Sequence, residues 1–428
     1  MTSPREFLEQ LFHHAVAAAH PSVCLPRMLP PPPENGRIVM LAAGKAAGSM
    51  LEVAEQHYLA AGFHASRLAG IGVTRYGYGR PTKHVPVIEA GHPMPDEAGL
   101  QAAEKVIAFA DAAGEMDLVL VLISGGASAN WISPAKGLSL ADKIALTRAL
   151  LRSGANIGEF NTVRKHLSRI KGGRLAAHAF PARTVTLAIS DVPGDDPAVI
   201  GPGPSVPDPS TLADARAIIA RYNLTLDPKI ARALSDPANE TPKPGDRAFA
   251  NSSFQIAARP ADALHAAEQA VRAAGYDCVF LGDQVQGEAR VVAIEQARRA
   301  IAIQRDGRPT VILSGGELTV TLRGDGKGGP NQEFALGLAM ALEGHAGIAA
   351  LAADTDGTDG GGGRADDPAG AFVDSTSVLR ARSFGLDPAA FLANNDSTRF
   401  FSTLDDLFVP GPTYTNVNDF RAILIDRP

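Results

Sequence analysis

Short apolar runs recur along the chain, and each ends in a turn that is followed by a stretch with helical periodicity. Unbroken apolar runs are typical of strands that are covered on both faces of a sheet. Strands that alternate with helices in this way predict α/β layers with mostly parallel strands. The clearest runs are residues 37–41 (RIVML), 117–123 (DLVLVLI) and 183–189 (RTVTLAI).

The same alternation resumes in the C-terminal half, after a polar segment at residues 235–247 (SDPANETPKPGDR). That segment is rich in Pro, Asp and Gly and has almost no apolar side chain, which is typical of a boundary between domains. We therefore predict two α/β domains, residues 1–240 and 248–428. In the second domain the pattern predicts helices at 261–274, 288–305 and 331–342, and strands at 276–281, 310–313, 317–322 and 348–353.

Composition and charge narrow the class of protein. The chain has 428 residues, of which 45% are hydrophobic and 20% are charged, as in ordinary globular proteins. Its formal net charge of −6 provides no general basic field for nucleic acid. Cys24 and Cys278 lie far apart, so neither a disulfide framework nor a cysteine zinc site is supported. A reducing, cytoplasmic location is the simplest expectation.

The N-terminus has the features of a folded helix. Ser3, Pro4 and Glu6 form the pattern of a capped helix start, and the first twelve residues lack the apolar run of a signal peptide. The longest strongly apolar run, residues 118–123, is far shorter than the ~18 residues that a membrane span needs. We expect no membrane partner.

Lys45 follows the first predicted strand, in a turn that opens a helix. Free backbone N–H groups and the positive end of the helix dipole attract anions at such a place. A lysine there can hold a carboxylate or a phosphate. The P-loop spacing GxxxxGK[ST] is absent, because position 39 is Val and position 46 is Ala. A solvated lysine in the first helical turn explains the residue equally well.

Three aspartates, Asp191, Asp195 and Asp196, follow the strand predicted at 183–189. Carboxylates at the carboxyl ends of strands in α/β sheets are commonly site residues. They can accept a proton from a substrate hydroxyl or hold a divalent metal. Aspartates also favour turns for purely conformational reasons. Asp191 is the best placed of the three because it comes first after the strand.

Gly324, Gly326 and Gly329 match GxGxxG, with a predicted strand before them and a helix after them. Two features oppose a dinucleotide fingerprint: the preceding strand alternates polar and apolar residues, and Lys327 lies inside the loop. With Arg323 and four glycines, the loop fits a triphosphate at least as well. A flexible turn is the structural alternative.

Asp354, Asp356 and Asp359 fall within six residues and precede a run of four glycines at 360–363. The spacing is not that of an EF-hand, because Thr358 stands at its fifth position. Oxygen ligands without Cys or His favour magnesium over zinc. An exposed acidic turn is the alternative.

Residues 124–128 contain a Ser-Gly-Gly turn that can offer N–H and hydroxyl donors to an anionic substrate. Ser128 also narrowly misses the GxSxG pattern of serine hydrolases, because Asn130 replaces the last glycine. The histidines show neither HExxH nor HxH spacing, and we interpret His92 as a hydrogen-bonded structural residue. The segment 411–419 (GPTYTNVND) can contact a ligand through amides and hydroxyls, or form a capped turn.

Taken together, these segments resemble the class II glycerate 2-kinases, whose C-terminal part is called the MOFRL domain. One departure is visible at Tyr414, where the family usually has Gly, so the family's local turn geometry and substrate fit need not carry over to this position. The motifs that carry the resemblance are AAGKAA (42–47), GHPMPDE (91–97), ISGGASA (123–129), NTVRKHLS (161–168), SDVPGDD (190–196), SGGELTV (314–320), GKGGPNQE (326–333), DTDGTDG (354–360) and GPTYTNVND (411–419).

The resemblance implies a Rossmann-like N-terminal domain with a mostly parallel sheet, a C-terminal domain containing the MOFRL region at about 308–420, and an active site in the cleft between them. It implies transfer of the γ-phosphoryl group of ATP to the 2-hydroxyl of D-glycerate, which gives 2-phospho-D-glycerate and ADP. It also allows a homodimer.

The resemblance further assigns roles to individual positions. Lys45, Asp191 and Arg323 are expected to be catalytic, and Asp354 and Asp356 to hold Mg²⁺. The residues expected to bind glycerate are Ser124, Gly125, Gly126, Ala127 and Ser128. Those expected to bind ATP are Gly315, Gly316, Glu317, Lys327, Gly328, Gly329, Asn331, Gln332, Glu333, Thr355, Thr415 and Asn416.

Two other functions fit parts of the pattern. An NAD(P)H-dependent hydroxypyruvate reductase is a label that such sequences can carry, and the GxGxxG match would support it. No second element of the sequence indicates nicotinamide binding. A non-catalytic sensor of nucleotides or sugar acids would bind ligand without turnover.

Overall fold

The computed structural model describes residues 3–360 and 364–427. Gly361, Gly362 and Gly363, the end of the predicted glycine run, lie outside the described residues. The strands are β1 (Ile38–Ala43), β2 (Leu68–Arg75), β3 (Val87–Ala90), β4 (Leu118–Ile123), β5 (Arg183–Ile189), β6 (Ser252–Ala258), β7 (Asp277–Phe280), β8 (Val285–Glu288), β9 (Thr310–Ser314), β10 (Gly316–Thr319), β11 (Ile348–Asp354), β12 (Gly370–Asp374), β13 (Leu407–Phe408) and β14 (Asp419–Ile425).

The helices confirm the predicted alternation with strands in both halves of the chain. They are α1 (Pro4–Ala19), α2 (Pro21–Cys24), α3 (Ala47–Ala60), α4 (Glu97–Asp111), α5 (Ala127–Asn130), α6 (Leu140–Ser153), α7 (Ile157–His166), α8 (Arg174–Ala179), α9 (Leu212–Arg221), α10 (Pro228–Ser235), α11 (Pro260–Ala273), α12 (Ala289–Arg305), α13 (Pro330–Ala341), α14 (Ser377–Ser383), α15 (Pro388–Ala393) and α16 (Ser397–Leu404). In the part of the chain that is described, none of these helices combines the length and apolar character needed to cross a membrane.

Contacts divide the chain into two compact units, Cys24–Ala257 and the combination of Met1–Val23 with Ala258–Pro428. The domain limits predicted from the sequence, 1–240 and 248–428, stay a prediction. They differ from these units in the place of α1 and of residues 248–257, which belong to the unit Cys24–Ala257. This helix begins at the predicted Ser3–Glu6 capping box and packs against α11. The capping box predicts where this helix starts, but not which elements cover its buried face.

The unit Cys24–Ala257 is built on a six-stranded sheet in the order β3-β2-β1-β4-β5-β6, and the pairs from β3 to β5 are parallel. Every residue of β1 and β4 is buried, as their apolar runs predicted. The strand order reverses direction between β1 and β4. In doubly wound sheets, ligands bind outside the carboxyl ends of the strands at such a reversal.

A second group of helices in this unit forms its own apolar cluster. Leu146 and Leu150 of α6 and Val163 of α7 lie in it, together with side chains of α9 and α10. α6 begins at a capping box of Ser139 and Asp142, in which each residue bonds the backbone of the other. The cluster fixes α7 and therefore the polar side chains on its opposite face.

The other unit contains a mixed six-stranded sheet in the order β13-β12-β11-β14-β9-β7. β7 and β9 are parallel, whereas β9, β14, β11, β12 and β13 pair successively antiparallel. The strand predicted at 317–322 is shorter than expected. β10 ends at Thr319 because its partner β8 ends at Glu288, where α12 takes over.

Candidate functional site

The turns after β1 and β4 lie side by side. The two strands pair in parallel with Ala43 opposite Ile123, so the residues that follow them meet at one edge of the sheet. The backbone N–H of Lys45 donates to the Gly125 carbonyl at 2.8 Å, and the N–H of Ala46 donates to Ser124 Oγ at 2.9 Å. The sheet therefore brings together the lysine turn and the Ser-Gly-Gly turn.

Two glycines permit this close approach. Gly44 has φ +114°, and a Cβ on it would lie 2.4 Å from the Ser124 carbonyl oxygen. Gly126 has φ +84°, and a Cβ there would lie 2.9 Å from His92 Nε2 and 3.2 Å from Lys45 Cγ. His92, which we interpreted as structural, thus packs against the same turn as Lys45.

Asp191 lies at the same edge of the sheet. β5 runs parallel to β4 with Ala188 opposite Ile123, and it ends at Ile189, two residues before Asp191. Asp191 is partly buried. Asp196 serves the turn itself, because its Oδ1 accepts from the Ala198 N–H at 2.9 Å.

Ser128, at the end of the predicted substrate turn, lies against a group of basic side chains that the sequence reading missed. Its hydroxyl accepts a hydrogen bond from Arg164 Nη2. Lys171 Nζ donates to the Ser128 carbonyl at 3.0 Å, and Lys143 Nζ donates to the Leu167 carbonyl at 3.0 Å. Burial lowers the pKa of Arg164 to about 10 and that of Lys143 to about 7. The only available signal was the motif at 161–168, which contains Arg164.

In the other unit, the glycine loop at 323–327 packs against its own chain. The N–H groups of Arg323 and Gly324 donate to Asn395 Oδ1 at 2.7 and 3.1 Å. A Cβ on Gly324 would lie 2.1 Å from Asn394 Oδ1. These glycines allow a close approach to residues 394–396, and the N–H groups bonded there are not available to a phosphate. The side chains of Arg323 and Lys327 are exposed.

Asp359 caps the first turn of α13. Its carboxylate accepts from the N–H groups of Asn331 at 3.0 Å and Gln332 at 2.8 Å. Asp359 is only 3% exposed. Burial, with a contribution from the nearby charge of Asp419, raises the pKa of Asp359 to about 7 against the opposing effect of those hydrogen bonds.

The buried polar residues at the start of α13 bond side chains from other segments of the same unit. Gln332 Nε2 donates to the Asp359 side chain at 3.1 Å, and Glu333 accepts from Arg290 Nε at 2.9 Å. Asn331 Nδ2 donates to Asp419 Oδ1 at 2.7 Å. Asn331 Oδ1 is buried and has no hydrogen-bond partner within the described residues. Of these three predicted nucleotide ligands, Asn331 retains an unused acceptor.

The remaining predicted nucleotide ligands are spread over several loops of this unit. Thr355 Oγ1 donates to the Asn418 carbonyl at 2.6 Å, and Thr415 Oγ1 donates to the Ala19 carbonyl at 2.8 Å. Both hydroxyls therefore hold the backbone. Asn416 is buried and Glu317 is exposed. A Cβ on each predicted glycine would approach a neighbour within 3.0 Å: Leu264 for Gly315, Val285 for Gly316, Ser397 for Gly328 and Asp359 for Gly329.

Asp354 and Asp356 lie at and just beyond the end of β11. Asp354 Oδ1 accepts from the Asp356 N–H at 2.8 Å, and Asp356 Oδ1 accepts from the Thr358 N–H at 2.7 Å. Residues 3–360 and 364–427 contain no group of three or more His, Cys, Asp or Glu side chains placed to hold a metal. Mg²⁺ usually keeps water and binds one or two carboxylates together with substrate phosphates, so these two oxygen donors fit it chemically.

These features define an α/β protein with a Rossmann-like sheet and candidate anion-binding turns at its strand reversal. Residues 7–235 match a domain of unknown function (DUF4147), and residues 310–419 match the MOFRL family. The chain belongs to the family of MOFRL-domain glycerate kinases, which its sequence motifs resemble.

Several relatives share nearly the whole chain. A putative hydroxypyruvate reductase of Agrobacterium vitis is 48% identical over 99% of this chain and 95% of its own length. A D-glycerate 2-kinase of Thermotoga maritima is 36% identical over 91% of each chain. The crystal structure of a glycerate kinase from Thermotoga maritima matches with a TM-score of 0.84 at 34% identity, covering 98% of this chain and 99% of that one.

Proposed function

We propose that this protein is a D-glycerate 2-kinase that transfers the γ-phosphoryl group of ATP to the 2-hydroxyl of D-glycerate. The observation that carries the proposal is the meeting of Lys45, the Ser-Gly-Gly turn and Asp191 at one edge of the parallel sheet. Relatives named glycerate kinases support the choice of substrate.

In this proposal Asp191 accepts the proton of the 2-hydroxyl. The hydroxyl oxygen forms the new bond to the γ-phosphorus as the bond from that phosphorus to ADP breaks. Lys45 neutralises charge on the transferred phosphoryl group, and the turn from Ser124 to Ser128 holds the sugar acid. Arg323, whose side chain is exposed, contributes a second positive charge. Phosphoryl transfer depends mainly on positioning and electrostatic stabilisation, and a base, two cations and a binding turn are the types of group that supply them.

Asp354 and Asp356 would hold Mg²⁺, which neutralises phosphate charge when it is bound. Lys327 offers an exposed ammonium group to the nucleotide phosphates, and Asn331 offers its unused acceptor to a donor of the nucleotide. The active site in a cleft between domains, which the family resemblance implies, stays a prediction.

The test supplies purified protein with D-glycerate and Mg-ATP, follows ADP release, and identifies the product by phosphorus NMR. We expect 2-phosphoglycerate. Formation of 3-phosphoglycerate would contradict the assignment of the 2-hydroxyl, and absence of ADP would contradict kinase activity.

Hydroxypyruvate reductase is the second candidate, because relatives carry that name and the GxGxxG match suggests a dinucleotide. Two observations weigh against it. β10, which precedes the glycines, lies in a two-stranded sheet with β8, and N–H groups of the loop are bonded to Asn395. Incubation with hydroxypyruvate and NADH separates the two functions: rapid NADH oxidation without kinase activity would favour the reductase. Ligand binding without turnover in either assay would indicate a sensor.

A further inference from the structure

The guanidinium of Arg164 has an unusual environment. Nη2 donates to Ser128 Oγ, Nη1 approaches Asn161 Oδ1 at 3.4 Å, and the group lies 4.8 Å from the centre of the Phe160 ring. All of these partners are neutral. Within residues 3–360 and 364–427 the structure gives Arg164 no carboxylate partner.

The two lysines near Arg164 bring no negative charge that would neutralise its guanidinium. Lys171 and Lys143 are fully enclosed, and their ammonium groups donate to backbone carbonyls of Ser128, Trp131 and Leu167. Burial and the charge of Arg164 lower the pKa of both lysines. Crowding of these three basic side chains therefore favours loss of a proton from a lysine, whereas the Arg164 guanidinium keeps its charge.

A desolvated guanidinium without a counter-charge is costly, and an anion that binds it bidentately removes much of that cost. Arg164 is partly accessible, so a small ligand can reach it. Lys171 already braces the backbone of the Ser128 turn at two carbonyls, so the turn does not need Arg164 for that purpose.

We propose that Arg164 binds the carboxylate of the sugar-acid substrate, with Ser128 beside it, and thereby selects acids over their neutral analogues. The inference rests on the proposed function, because it places the acid group of D-glycerate at one end of the turn that begins at Ser124. The hydroxyl that accepts the phosphoryl group then lies toward Lys45 and Asp191. Arg164 is a binding residue in this scheme and takes no part in proton transfer.

The test compares wild type with R164M and R164K, using the KM for D-glycerate and the inhibition constant of D-glyceramide, the neutral amide of the substrate. We expect R164M to raise the KM for D-glycerate about 10²-fold, the usual effect of losing a hydrogen-bonded charge. Inhibition by D-glyceramide should change less than about twofold. R164K keeps the positive charge but lacks the paired N–H donors of the planar guanidinium, and it should raise the KM for D-glycerate about tenfold.

R169M is the matched control, since Arg169 lies five positions along the chain in an exposed ion pair with Glu104. It should leave both constants unchanged. If R164M loses affinity equally for D-glycerate and D-glyceramide, the role of Arg164 is purely structural and the inference is overturned. A KM for D-glycerate in R164M equal to that of wild type would also overturn it. Where R164M does not fold, an unchanged KM in R164K overturns it.

The experiment also separates this inference from the proposed function. Phosphorylation of D-glycerate by wild type, combined with an unchanged KM in R164M, refutes the inference alone. If wild type shows no phosphorylation, calorimetry with D-glycerate decides: binding by wild type that weakens about 10²-fold in R164M supports the carboxylate site without the kinase. Absence of binding by wild type refutes both.

Discussion

Replacement of Gly126 by alanine tests the packing of the turns at the reversal of the parallel sheet. The residue has φ +84°, and the added Cβ would lie 2.9 Å from His92 Nε2 and 3.2 Å from Lys45 Cγ. Favourable carbon contacts lie at about 3.5–4.0 Å, so both side chains must move, Lys45 Cγ by about 0.3–0.8 Å. The substitution therefore displaces Lys45 without changing its chemistry.

The magnitude has two parts. An alanine in the left-handed region loses about 1–2 kcal/mol of stability through steric strain. In a unit of about 230 residues, 1 kcal/mol corresponds to about 2–4 °C in Tm, so we expect a loss of about 2–8 °C. A catalytic group misplaced by about 1 Å can reduce the rate about 10²-fold, and we expect this loss in kcat/KM for D-glycerate.

Gly137 provides the matched control. Its φ is +86°, it is exposed, and nothing lies within 4 Å of the position of an added Cβ. G137A should show a decrease in Tm similar to that of G126A by differential scanning calorimetry. It should keep the kcat/KM of wild type in the ADP-release assay. A G126A variant with the activity of G137A would refute the reasoning that Gly126 holds Lys45 in place.

Three further predictions follow from the same structure. K45A and D191N should each lower kcat at least ~10²-fold while Tm changes little, and near-normal turnover would exclude that residue from catalysis. Folding raises the pKa of Asp359 from 3.8 to about 7, so the folded protein binds a proton that the unfolded chain has released; stability should fall as pH rises through this window. D359N should flatten the dependence of stability on pH, measured by thermal unfolding between pH 4 and about 7. A slope of stability against pH equal to that of wild type would contradict Asp359 as its cause. N395A leaves two N–H groups of the loop 323–327 without their acceptor and should cost about 1–3 kcal/mol, measured by urea unfolding; a wild-type midpoint would show that water replaces the side chain.

Most of the architecture could be predicted from local pattern. The apolar runs before Gly44 and Ser124 became the buried central strands, and the capping box at Ser3 became a helix start. These features depend on residues close together in the chain, which is why pattern alone predicts them. The placement of α1 depended on packing with residues about 250 positions away, which no local pattern encodes.

The candidate site divides in the same way. Lys45 and Asp191 could be proposed because each follows an apolar strand, and residues after parallel strands lie at one edge of a sheet. Arg164 lies within a helix and looks like an ordinary surface charge in the sequence. Its importance appears only when α7 packs and brings the guanidinium to Ser128.

The sequence by itself determined the elements, the fold class and the turns that carry chemistry, because hydrophobic periodicity and turn residues act over a few positions. Tertiary structure alone decided what those turns contact. The glycines of 323–329 looked like a phosphate loop, yet their lack of a side chain serves close packing against Asn394, Ser397 and Asp359. Gly126 has a similar need for space, but there the neighbours are Lys45 and His92. A glycine shows that something approaches closely, and only the folded chain shows what approaches.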